Sequence, residues 1–111
     1  MEVTENSGVD RARETRFEQQ LREIVFSIIG ERDCEVFLFG SRAQKRTRRS
    51  SDFDLGIRGL APKEFDAVKA RIVDLVAESH IPHDVDVVDF DRALEPFRSV
   101  ALRERVVWKS V

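Results

Sequence analysis

Asp52 and Asp54 stand two residues apart in the run Ser51-Asp52-Phe53-Asp54-Leu55, and Gly40-Ser41-Arg42 precedes them with ten residues between Ser41 and Asp52. On a strand, residues i and i+2 leave the same face, roughly 7 Å apart between alpha carbons. Two carboxylates so placed repel each other unless a cation lies between them. Magnesium suits the pair, because it prefers oxygen ligands and commonly binds one or two carboxylates together with substrate phosphates. Gly40 lets backbone approach an anion closely, and the Ser41 hydroxyl can donate to a terminal phosphate. Arg42 adds charge beside it. The chemistry that these residue types support is metal-assisted phosphoryl transfer on a nucleotide.

The elements that must position them follow from the hydrophobic pattern. Cys34 to Phe39 is apolar except for Glu35, and Phe53, Leu55 and Ile57 alternate with the aspartates, so a strand is expected on each side of the Gly40 to Ser51 segment. Phe53, Leu55 and Ile57 would tie the second strand to the core and give the like charges a rigid support. Asp84 to Phe90 alternates as a third strand, with Val85 and Val87 on one face and Asp84 and Asp86 on the other. A third carboxylate for a two-ion site comes from this strand: Asp86 is the candidate and Asp84 the alternative on the same face.

Helices should cover one side of this sheet. Phe17, Leu21, Ile24, Val25, Ile28 and Ile29 recur at helical spacing between Asp10 and Ile29, and Gly30 is a stop signal. Thr15 and Glu18 match a capping box, which would start the firm part of that helix. Pro62 opens a second helix running to about Glu78, with Phe65, Val68, Ile72, Leu75 and Val76 on one face. Ser79 to His83 reads as a loop. Arg92 to Arg103, interrupted by Pro96, reads as a short helix or irregular crossing, and Arg105 to Lys109 as a last strand. The fold class is α/β (α+β), a mixed sheet of about four strands flanked by helices. Residues 1–9 read as a flexible tail and 10–111 as one domain, consistent with the 111-residue length.

Composition limits the alternatives. With 41% hydrophobic and 36% charged residues, and eight Phe, the chain is globular in character, and no stretch suits a membrane span. The opening Met-Glu-Val-Thr-Glu-Asn does not resemble a secretion signal, so a cytoplasmic location is expected. A formal charge of -2 excludes a broadly basic nucleic-acid coat. Cys34, the single cysteine, has no internal disulfide partner and reads as a small buried side chain.

Together, Gly40-Ser41-Arg42-Ala43, Ser51-Asp52-Phe53-Asp54-Leu55 and Val85-Asp86-Val87-Val88-Asp89 resemble the DNA polymerase beta-like nucleotidyltransferase superfamily, in particular its minimal nucleotidyltransferase branch. The resemblance covers nearly the whole chain after residue 9. It implies that Asp52, Asp54 and Asp86 bind two magnesium ions and are the catalytic set, while Gly40, Ser41, Arg42 and Ser51 bind the triphosphate of ATP. An acceptor hydroxyl would then attack the alpha phosphorus and release pyrophosphate. Lys45 departs from the family, many of whose members carry glycine there. The resemblance further implies an antitoxin that attaches AMP to a hydroxyl of its partner, a helical HEPN ribonuclease toxin, in a hetero-oligomer with it. The alternative is a catalytically inactive antitoxin that blocks the toxin by contact.

Plainer readings exist for each feature. Two aspartates on a strand are commonly a solvated face, and Gly40-Ser41 alone is an ordinary turn. Arg42, Lys45, Arg46, Arg48 and Arg49 form a solvated loop or a phosphate or RNA contact, although direct nucleic-acid binding is not the expected role. His80 and His83 lack companions for zinc. Asp89 reads as a salt bridge or a cap for the next turn, and Trp108 and the Phe residues as core.

Overall fold

In the computed structural model, which describes residues 2–43 and 52–111, four helices and four strands follow in the order α1 (Glu2–Ile29), β1 (Glu35–Phe39), α2 (Gly40–Ala43), β2 (Phe53–Arg58), α3 (Pro62–Glu78), β3 (Val85–Asp89), α4 (Phe97–Glu104) and β4 (Val106–Lys109). The strands make one sheet in the order β3-β2-β1-β4. β1 runs antiparallel to β2 and β4, while β2 and β3 are parallel, so the sheet is mixed as expected. The parallel pair requires a crossover, and α3 supplies it.

On one face of the sheet, Leu21, Val25 and Ile29 of α1 and Phe65, Val68, Ile72 and Val76 of α3 bury Val36, Leu38, Phe53, Leu55 and Ile57. α3 has the expected bounds, with Pro62 at its start where a missing N–H costs no helical bond. α1 begins at Glu2 and not at Asp10, so Thr15 lies inside the helix and does not cap it. Among the described side chains of α1, Phe17, Leu21, Ile24, Val25, Phe26, Ile28 and Ile29 belong to or pack against the core, at the expected helical spacing.

The other face is covered as well, which corrects the expectation of helices on one side. Phe37, Phe39 and Phe90 pack there with Ala101 of α4. The three rings meet edge to face or tilted, with Phe37 and Phe90 centroids 4.7 Å apart and Phe39 and Phe90 centroids 5.1 Å apart. Gly56 makes this possible, since a Cβ there would run into the Phe37 and Phe90 rings. Pro96 precedes α4 and does not interrupt it. With both faces covered, all five residues of β1 are buried, which explains its nearly unbroken apolar run.

Candidate active site

The end of β1 brings the chemistry-bearing residues together. Phe39 is the cross-strand partner of Asp54, and Asp54 is in turn the partner of Asp86 in the parallel β2–β3 pair. Partners share a face, so Phe39, Asp54 and Asp86 form a row across three strands. Adjacent strands are roughly 4.8 Å apart. Two carboxylates stand side by side at that spacing, an arrangement that is unfavourable for bare like charges. Asp52 lies immediately before β2, and Asp84 immediately before β3, each two residues ahead of a member of the row. The Asp84 carbonyl accepts the Phe53 backbone N–H at 3.0 Å, which holds the two strand entrances together. Asp54 is half-buried; Asp52, Asp84 and Asp86 are exposed.

Gly40 connects the turn to this row. Its φ is +76°, and a Cβ built on it would lie 2.5 Å from Asp54 Oδ2. Only glycine gives both the left-handed conformation and the close approach without displacing the carboxylate. The sequence indicated that backbone at Gly40 could approach an anion closely; the structure places the Asp54 carboxylate against it. The Ser41 and Arg42 side chains lie outside the described residues, as do Ser51, Lys45, Arg46, Arg48 and Arg49.

The fit to a divalent cation can be tested on these observations. Among the described residues, no three His, Cys, Asp or Glu side chains come together as a metal-binding cluster. What the fold does supply is a row of oxygen donors in fixed register with two more carboxylates at its edge, with no sulfur or imidazole among them. That donor chemistry fits magnesium and is a poor match for zinc. Asp86, not Asp84, is the register partner of Asp54.

The other groups singled out from sequence have structural roles. Cys34 is fully buried, and burial pushes its thiol up, so it is a poor nucleophile at neutral pH. Asp89 accepts the Asp91 backbone N–H at 3.1 Å and pairs with Arg92 at 3.5 Å, as a turn cap does. Trp108 is core, with the Arg22 guanidinium 5.8 Å from its ring. His83, at the end of the expected loop, is buried. Its ring meets Phe17 and Phe53, each at 5.8 Å, so it supports the residue between Asp52 and Asp54. Sequence gave no signal for this, because the three aromatic residues come from separate elements.

The model of the family described as polymerase beta, nucleotidyltransferase, matches residues 34–110. The Haemophilus influenzae protein named probable protein adenylyltransferase MntA is 35% identical over 75 residues, 68% of this chain. The chain spans 65% of the length of that curated relative. A solved structure of a candidate minimal nucleotidyltransferase has a TM-score of 0.59 and 28% identity, covering 89% of this chain and 92% of its own. A crystal structure of a toxin-antitoxin with AMP-PNP shares the fold, with a TM-score of 0.60, 18% identity and coverage of 81% of this chain and 73% of its own. The chain belongs to the polymerase beta, nucleotidyltransferase, family.

Proposed function

We propose that this protein is a magnesium-dependent nucleotidyltransferase that moves AMP from ATP to a protein hydroxyl, and that it is the antitoxin which thereby neutralises a HEPN ribonuclease toxin. The observation that carries the reading is the row of Asp54 beside Asp86, with Gly40 against Asp54. Asp52, Asp54 and Asp86 would hold the magnesium ions, two by analogy with the family. Bound there, the metal supplies charge neutralisation for the triphosphate. Gly40 keeps backbone close to the carboxylate row, and Ser41, Arg42 and Ser51 bind phosphate oxygens. The acceptor oxygen forms a bond to the alpha phosphorus while the bond to the bridging oxygen breaks and pyrophosphate leaves. Asp86, exposed at the edge of the row, takes the acceptor's proton.

The acceptor and partner are supported by what related proteins are. The Haemophilus influenzae relative is named for adenylylation of protein, and two structures sharing the fold are of toxin-antitoxin assemblies. The reading is tested by mixing the purified protein with its candidate toxin, magnesium and ATP labelled in the alpha phosphate. Label should pass to the toxin, and the toxin's intact mass should rise by one AMP. Asp52→Asn and Asp54→Asn should abolish the transfer; equal labelling by the variants would reject the assigned residues.

A further inference from the structure

Phe97 differs from the other phenylalanines on its side of the sheet. Phe37, Phe39 and Phe90 are buried, whereas Phe97, the first residue of α4, is 46% exposed. Its ring is nonetheless held, 5.7 Å from Phe39 and 5.6 Å from Phe90. Phe39 is the residue before Gly40 and lies across from Asp54, and α4 packs against α2. A rigid aromatic ring with an open surface therefore stands one ring away from the carboxylate row. Val100, three residues along α4, and Leu94, ahead of the helix, are also exposed.

From this placement we infer that Phe97 is the stacking surface for the base of the bound nucleotide. The inference rests on the nucleotide-binding reading of the Asp54–Asp86 row and adds the part of the ligand that the row cannot recognise. Carboxylates and glycine backbone address only the triphosphate and its cations. A base needs a flat apolar partner, and aromatic stacking accepts any base because each has a π face. Because Phe39 and Phe90 fix the Phe97 ring, little side-chain freedom is lost on stacking. The surface gives affinity for a nucleoside over bare polyphosphate, with weak discrimination among bases.

The test compares two ligands on the full chain in magnesium: a nonhydrolysable ATP analogue and inorganic tripolyphosphate. Phe97→Ala should weaken binding of the ATP analogue on the order of tenfold and leave tripolyphosphate binding unchanged. Phe97→Tyr and Phe97→Trp should restore the analogue's affinity, and Val100→Ala, one turn along α4, should bind both ligands as the parent does. Unchanged analogue affinity in Phe97→Ala would overturn the inference and leave Leu94, Phe97 and Val100 as a face for a protein partner. An equal loss for both ligands would also overturn it, by showing that Phe97 only supports the fold. If the parent protein bound neither ligand, the nucleotide reading would fail and the inference with it.

Discussion

Where β1 begins, Glu35 lies buried between two guanidinium groups, pairing with its cross-strand partner Arg58 and with Arg105 at 3.1 Å. Where β1 ends, Asp54 stands beside Asp86, with Asp52 and Asp84 at the edge of the same row. Among the described residues Asp86 has no ion pair. At the first end, charge is neutralised within the fold; the Arg105 guanidinium also lies 5.7 Å from the centre of the Phe37 ring. At the second, four acidic side chains are concentrated on rigid strand entrances. One sheet thus encloses an acid between arginines at one end and sets acids side by side in register at the other. Buried charge that serves only structure is paired, so a row of like charges held in register is where an external cation is expected.

The contrast is broken or sharpened most strongly at the Asp54 end. Asp54→Asn with Asp86→Asn should lower AMP transfer about a hundredfold or more, because charge stabilisation by bound metal is worth several kcal/mol. The melting temperature of the same variant should change little, since Asp54 is only half-buried and Asp86 is exposed. A large loss of stability would mean that the row is structural and would erase the contrast.

The Glu35 end should behave in the opposite way. Glu35→Ala should destabilise the protein by about 2 to 3 kcal/mol, somewhat less than a fully buried pair because both arginines can rehydrate. Thermal unfolding measures this, and transfer per folded molecule should be retained. A smaller effect is expected from Gly40→Ala, which forces a Cβ against Asp54 Oδ2 in a left-handed conformation. It should cost about 1 to 2 kcal/mol in stability and also weaken nucleotide binding, by titration. The exposed Arg32–Glu64 pair sets the lower limit: Glu64→Ala should change stability by less than about 1 kcal/mol and leave transfer intact.

Much of this arrangement was legible in the sequence because it is local. The period-two alternation of Phe53, Leu55 and Ile57 with Asp52 and Asp54 marked a strand with one acidic face, and Asp84-Val85-Asp86-Val87 marked another. Pro62 and the spacing of Phe65, Val68, Ile72 and Val76 fixed α3. What escaped was non-local. Glu35 meets arginines 23 and 70 residues away, and His83 meets Phe17 and Phe53 across the fold. The second covered face was hidden because Pro96 looks like an interruption, whereas it precedes α4 and lets Ala101 and Phe97 close over Phe39 and Phe90. The capping box at Thr15 was misleading because the helix extends beyond it toward the N-terminus.

The most direct test is a crystal structure of the protein with magnesium and a nonhydrolysable ATP analogue. Carboxylate oxygens of Asp54 and Asp86 should lie about 2.0 to 2.1 Å from the metal, with the triphosphate against Gly40. A triphosphate bound away from this row, with both aspartates turned to solvent, would contradict the account.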